Sequence, residues 1–487
     1  MISRISPSFG SNGQVYAKKG NLPDPVNKSN QVADRANQEV KNFDVVVAGG
    51  GIAGAIAGIA AAREGAKVLV IEPNGFLGGT LTASGVGPMM SFHAGNKQVI
   101  KGIADELIER LKKREKSPGH ILNSTNSITP FDAEAMKYEL ETMLLESGGE
   151  VLYHTMLAGT DVSNNKIQSV KVLNKAGLSD IKAKVFIDAT GDGDLSAWSG
   201  VPFTKGREND GATQPMTLIM KYNNVNTEKL RKYIKENPDK FPLMREDIST
   251  IDNTPRLSVI GFEKEFNEAK QKGEVTIPRE DVLFFETNNP GEVIINTTRI
   301  LDHDGTDPWS LSKAEIEGRR QARELEAFFK KYIPGFEKAV FTQSGPSIGV
   351  RSSRQIEGEY TITAEDLLKE RKFKDTIAHS GYPIDMHNPD GEGTTLIRLK
   401  QGHYYNLPYR ALIPKNIENL LVPGRNLSAT PEAQAAIRTT PTLAALGEAA
   451  GTAAATAAKD DGNVRNVNTK QLQKELIKNG AYLDVCA

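Results

Sequence analysis

From Asp44 to Ala48 the chain reads Asp-Val-Val-Val-Ala, a short unbroken apolar run rich in β-branched residues. That pattern predicts a strand buried on both faces. Glycines follow, then an Ala/Gly/Ile-rich stretch that predicts a helix over 53–63, closed by Gly65. Lys67–Ile71 is a second apolar strand, so strand, helix and strand form one βαβ unit. Ile100, Ile103, Ala104 and Leu107 recur at helical spacing and predict an amphipathic helix over 99–113. A further helix is predicted over 131–147, with strands over 150–155 and 184–188. Ser312-Lys-Ala-Glu315 is a capping-box pattern, predicting a helix that opens there. It carries Leu325, Phe328, Phe329 and Tyr332 on one face and ends at Pro334-Gly335. Residues 418–460 return to strand-then-helix patterning. Residues 1–42 are polar and lack an apolar core, which predicts a flexible leader rather than a cleaved signal; a non-cleaved secretion address is the alternative.

Composition narrows the class. Across 487 residues, Lys+Arg (60) balances Asp+Glu (61), a net charge of −1. Such a balance gives no electrostatic footprint for nucleic acid or an anionic membrane. No apolar run reaches the roughly 18 residues of a membrane-spanning helix. The alanine-rich stretch 443–458 carries Glu448 and reads as a buried helix. The lone cysteine, Cys486, excludes an internal disulfide, dithiol redox chemistry and cysteine metal sites. Low cysteine use leads to the expectation of a cytoplasmic protein.

Gly49, Gly51 and Gly54 satisfy G-x-G-x-x-G between the first strand and its helix, with Gly58 one turn on. The first glycine permits a tight turn, the second lets backbone approach a pyrophosphate, and the third allows close helix–strand packing. The helix N-terminus offers free N–H groups to the phosphates. Glu72 ends the second strand, where an acid holds ribose hydroxyls and repels a 2′-phosphate. The unit therefore reads as a dinucleotide site.

Two later segments carry a resemblance. Ile187-Asp-Ala-Thr-Gly-Asp192-Gly-Asp194 resembles the ATGD fingerprint of glutathione-reductase-type flavoproteins. Leu420-Leu-Val-Pro-Gly424-Arg425 and Arg438-Thr-Thr-Pro-Thr442, opening the 443–451 stretch, resemble their C-terminal flavin-binding strand and helix. Phe76-Leu-Gly-Gly-Thr-Leu-Thr82, Gly349-Val-Arg351 and Tyr382-Pro-Ile-Asp-Met-His387 are similar to phrases of the FAD-dependent oxidoreductase family, a likeness running over about 43–460. The resemblance implies an α/β fold: a Rossmann-type three-layer FAD-binding domain with an inserted mixed α/β substrate domain. The expected layout is a leader (1–42), an N-terminal FAD-binding part (43–204), a mainly substrate-side segment (205–405), a C-terminal FAD-binding part (406–460) and a tail (461–487). Motif and resemblance together assign FAD to Gly49, Gly51, Ala53, Gly54, Glu72, Pro73, Gly78, Gly79, Thr80, Thr82, Asp192, Gly424, Arg425 and Thr442.

A flavin needs a proton-handling group nearby and something to hold substrate. His387, two residues from Asp385, and His403, in His-Tyr-Tyr, are candidates; His93 is a third that equally well caps a loop. Arg351 and Arg354, three apart, suit an acidic substrate or an ion-pair network. Arg425 and Arg438 flank the flavin segment. No His, Asp and Glu set has metal-ligand spacing. The expected function is hydride transfer between a small organic molecule and flavin N5, with no nucleic acid or membrane partner. The alternatives are a monooxygenase using NAD(P)H and O2, and a non-catalytic flavin-binding protein.

Overall fold

The computed structural model describes residues 41–485 apart from 124 and 125; all but the last two residues of the predicted leader, and Cys486, lie outside the described residues. Strand β1 (Asn42–Ala48) leads through helix α1 (Ile52–Arg63) to β2 (Val68–Ile71). Helix α2 (Ile103–Lys113) starts four residues later than its periodicity predicts, because Gly102 adopts φ +68° and breaks the run. Helix α3 (Ala133–Glu146) is capped by the Asp132 side chain. Strands β3 (Glu150–Leu152), β4 (Met156–Ser163), β5 (Lys166–Asn174) and β6 (Gly177–Asp188) follow. β3, β2, β1 and the second half of β6 lie side by side and parallel. The first half of β6 pairs antiparallel with β5, and β5 with β4. β6 is thus much longer than the 184–188 strand predicted, since only Val185–Ile187 near its end form an unbroken apolar run. Val45 and Val47 enter one core with α1; Val46 and Leu69 enter another with Ile167, Val170 and Val172 of β5. Alternation on β1 therefore buries both faces, and the sheet sits between helices and a β-meander.

A second core lies farther along. Strands β7 (Met220–Asn223), β8 (Ser258–Gly261), β9 (Val282–Glu286), β10 (Val293–Ile295) and, after helix α4 (Pro308–Tyr332), β11 (Val340–Ser344) form an antiparallel sheet in the order β8-β9-β10-β7-β11. Tyr222, Phe284, Phe328, Phe329 and Phe336 fill its core with mostly edge-to-face rings. α4 opens at Asp307-Pro308, not at Ser312: the Asp307 side chain accepts from Trp309 N and Pro308 presets the first turn. Ser312 instead bonds back to the Pro308 carbonyl. A hairpin, β12 (Ile384–His387) with β13 (Thr394–Ile397), follows. Ile362, Ile377, Tyr405 and Leu407 pack into the α1 core rather than the aromatic one, so the 205–405 stretch feeds two cores.

Strand β14 (Leu420–Leu421) adds in parallel beside β6, and helix α5 (Thr440–Ala458) returns across α1. A Cβ on Gly447 would lie 2.3 Å from Ala53 O, and one on Gly451 2.1 Å from Ala57 O. The two helices meet backbone to backbone, so N- and C-terminal segments close one layer. Within α5, Glu448 is buried and accepts from Ile103 N at 2.9 Å, capping α2 in place of a local side chain. Burial pushes its carboxyl up to about 8, against the Ile103 bond and Arg63 and with Glu106 adding to the rise. A raised acid holds its proton in the folded state from about pH 4.5 to 8 while the unfolded chain releases it. Stability therefore falls as pH rises through that window. Glu448→Gln should leave stability unchanged near pH 4.5 and raise it by about 4 kcal/mol at pH 8.5, read from urea unfolding at both pH values.

Candidate functional site

The turn after β1 is built by close approach. Gly49 sits at φ +97°, and a Cβ there would lie 2.4 Å from Ala189 O. Gly51 differs: the nearest heavy atom to a Cβ would be Gly79 Cα, at 3.9 Å. That open face gives onto a cavity of about 1840 Å³. Gly51 also precedes α1 with no side-chain cap, leaving the first-turn N–H groups for a ligand.

Glu72 stands beside this turn, 4% exposed and lining the cavity. One oxygen accepts from Gly50 N at 2.8 Å; the other accepts from Asn74 N at 2.8 Å and Nδ2 at 2.7 Å. Burial raises its carboxyl, and these three bonds oppose the rise. A carboxylate offers about four lone-pair sites, so room for a hydroxyl donor remains. The acid read as a ribose ligand also fixes the glycine turn, and Asn74, missed in the sequence, orients it.

The loop after β6 forms the next wall. Asp188 is buried and holds Thr190 and Ser196 through side-chain and backbone donors. Asp192 accepts from Arg425 Nη2 at 2.6 Å and from Ser353 Oγ at 2.7 Å. Arg425 Nε is buried without a partner.

Of the residues assigned to FAD, Gly49, Gly51, Ala53, Glu72, Pro73, Gly79, Thr80, Asp192, Gly424 and Arg425 line this cavity. Gly54 and Gly78 lie behind the wall: their Cβ positions face Gly49 O and the Thr82 side chain. Thr82 gives its hydroxyl to Leu77 O at 2.7 Å, and Thr442 gives its own to Ser380 Oγ at 2.9 Å. Neither hydroxyl is turned to the cavity, although both residues sit in segments that border it.

The far end of the cavity is a different environment. His387, on β12, lines it with Asp385, Tyr382 and four arginines: Arg279, Arg299, Arg351 and Arg438. Arg299 Nη1 lies 3.5 Å from His387 Nδ1, and Thr394 Oγ1 lies 3.2 Å from the same atom. Nε2 lies 3.8 Å from Asp385 Oδ1. Arg438 donates to Asp385 O at 3.2 Å, and Tyr382 donates to Asp385 Oδ2 at 3.2 Å. Burial, then the four guanidinium groups, holds His387 well below the usual histidine range, so it is a neutral imidazole at pH 7. Arg279 and Arg299 had no sequence signal; they follow ordinary stretches of β-rich sequence, and only tertiary packing brings them to His387.

The other two catalytic candidates stand elsewhere. His403 is 45% exposed at the rim, its Nδ1 2.6 Å from Glu370 Oε1. Arg354 is spent on Asp194 at 2.8 Å and on the Asp192 carbonyl at 2.9 Å, so its guanidinium braces the loop after β6 instead of facing the cavity. His93 is buried and bonds Ser127 Oγ at 3.0 Å, and burial lowers it to about 4. Among the described residues no group of three or more His, Cys, Asp or Glu could hold a metal ion, and no helix is long and apolar enough to cross a membrane.

These features fit a flavin dinucleotide: an open glycine face at a helix N-terminus, a carboxylate beside it, an orphaned guanidinium nitrogen midway, and one cavity joining them. Its volume exceeds the roughly 300–1,000 Å³ of a single-ligand pocket, leaving space for a substrate as well.

Comparison with known proteins agrees. The model of the family described as FAD dependent oxidoreductase matches residues 44–476. A thiamine thiazole synthase of Aeropyrum pernix is 31% identical over 129 residues, 26% of this chain and 43% of that protein. One of Methanococcus aeolicus is 30% identical over 159 residues, 30% of this chain and 54% of that protein. The chain thus spans about half the length of these curated relatives. Among solved structures, a geranylgeranyl bacteriochlorophyll reductase-like protein of Thermoplasma acidophilum aligns with TM-score 0.44 at 14% identity, over 90% of this chain and 84% of that one. An L-proline dehydrogenase from P. horikoshii aligns with TM-score 0.39 at 14% identity, over 91% and 100%.

Proposed function

The chain belongs to the FAD-dependent oxidoreductase family, and from that premise we propose that it transfers a hydride between a small organic substrate, held at the His387 end of the cavity, and flavin N5. When bound, FAD supplies the two-electron chemistry. The chain's residues do the remainder. The Gly49–Gly51 turn and the start of α1 hold the pyrophosphate, and Glu72 holds the adenosine ribose. Asp192 and Arg425 brace the middle of the cofactor. His387 exchanges a proton with the substrate, with Thr394 Oγ1 3.2 Å from Nδ1 to orient the ring. The reading is carried by one observation: a single cavity runs from the glycine turn to the only histidine among the described residues that is both sheltered and open to it.

The test is anaerobic reduction of the FAD-loaded protein with a panel of amino acids, alcohols, organic acids and NAD(P)H, followed at the flavin absorption band. Bleaching by one class of reduced organic substrate is expected. With that substrate, His387→Gln should lower kcat on the order of 100-fold while FAD affinity stays within about twofold. Reduction by NAD(P)H alone, coupled to O2 uptake that a second compound stimulates, would replace this reading with a monooxygenase.

A further inference from the structure

The four arginines around His387 lack matching counter-charges. Arg279 meets Asp281 at 3.1 Å, and Arg438 comes within 3.9 Å of Asp385. Among the described residues, Arg299 and Arg351 have no carboxylate within ion-pair distance: Arg299 donates to the Asn388 and Gly393 carbonyls, and Arg351 to the Pro215 carbonyl. Arg299 is 2% exposed, yet its Nε is a buried donor without a partner, as is Nε of Arg438. Burying unpaired guanidinium groups is costly, and mutual repulsion adds to the cost. Burial and the neighbouring cations depress Arg351, and Arg299 falls to about 10. A fold that keeps four guanidinium groups on one cavity wall, two of them without a carboxylate partner, has placed them for an anion.

We infer that the substrate of this site is a small organic acid whose carboxylate is gripped by Arg351, Arg438 and Arg299 beside His387. The inference rests on the hydride-transfer reading above and names its substrate class. Planar guanidinium forks match the two oxygens of a carboxylate and set its orientation as well as its charge. The local surplus is small: Asp281 and Asp385 offset two of the four arginines, leaving a charge that one or two carboxylates balance. His387, neutral in the free protein, gains stabilisation of its protonated form once an anion sits against it. Substrate binding therefore brings the imidazole toward the range in which it both gives and takes a proton. Glu280, Asp281 and Glu392 oppose part of the depression of Arg299 through space, but none of them pairs with it.

The experiment titrates the FAD-loaded protein with acetate, succinate, citrate and phenylacetate, each against its neutral amide, and with inorganic phosphate. Binding is read from the flavin difference spectrum and from the shift in Tm. At least one carboxylate is expected to bind, with its amide weaker on the order of 100-fold, and raising NaCl should weaken the acid but not the amide. Arg351→Gln is expected to weaken that acid by about 30-fold, with partial recovery in Arg351→Lys and FAD affinity unaltered. Amides that bind as well as acids, a panel that fails to bind, or phosphate alone binding would overturn the inference. So would a folded Arg351→Gln protein with wild-type affinity. Should Arg351→Gln fail to fold, the acid–amide comparison on the wild-type protein decides. A separate titration of the FAD-free protein with FAD distinguishes this inference from the flavin reading: absent acid binding with FAD binding intact sinks only the former.

Discussion

Gly51→Val is expected to give a folded protein that has lost FAD. The position lies at φ −59° and ψ 175°, a conformation valine adopts without strain. Its Cβ would find no heavy atom closer than 3.9 Å, so the first carbon of a side chain meets no clash. That space is the cavity wall at the mouth of α1, where the proposed binding mode brings phosphate oxygens to backbone N–H groups. Branched carbons there displace the pyrophosphate from its donors, and charge-assisted bonds are each worth about 1.5–3 kcal/mol. FAD affinity should fall at least on the order of 100-fold, with the far-UV spectrum unchanged and Tm of the FAD-free protein within about 3 °C of wild type. Gly54→Ala is the contrasting variant, because its Cβ would sit 1.9 Å from Gly49 O and the turn must break. A Gly51→Val protein that binds FAD normally would show that the cofactor does not lie on this turn.

The second large effect concerns the fold. Gly451→Ala is expected to destabilise the protein by about 3–5 kcal/mol, read from urea unfolding of the FAD-free protein. The added methyl would meet Ala57 O at 2.1 Å, a backbone atom inside a helix that is itself buried on nearly every face. Neither helix can yield without opening the core they share. Against a typical total of about 5–15 kcal/mol, such a loss takes much of the stability of the layer. The close packing of α5 on α1 also positions the start of α5 beside Arg438 and the cavity, so weakened FAD binding should accompany the lower stability. A Gly451→Ala protein as stable as wild type would mean that the helices stand farther apart than described.

What the sequence conveyed was local. Strand, glycine turn, helix and Glu72 occupy about thirty consecutive residues, and the signals for turn, burial and acid reinforce one another there. The both-faces-apolar pattern of Val45–Val47 likewise announced a sheet buried between layers. Where two local signals competed, the pattern misled: Ser312-Lys-Ala-Glu315 has the spacing of a cap, but Asp307-Pro308 upstream had already started α4. β6 escaped full recognition because its first eight residues mix exposed, half-buried and buried positions while only its last four are continuously buried. The His387 end of the cavity was legible only in part. His387, Arg351 and Arg438 stood out by their neighbours in sequence, but Arg279 and Arg299 come from the loops around the aromatic core and share no motif with them. Nor does spacing reveal which arginine is already engaged. Arg351 and Arg354 are three residues apart, yet one faces the cavity and the other is bound to Asp194.

The account turns on the glycine turn and Glu72 holding the nucleotide half of the cofactor. Titration of the FAD-free protein with FAD and with FMN, which lacks the adenosine monophosphate portion, tests this directly. FAD should bind tightly and FMN more weakly on the order of 1,000-fold, since FMN offers nothing to Glu72 and cannot present a pyrophosphate to α1. Equal affinity for the two would contradict the assignment.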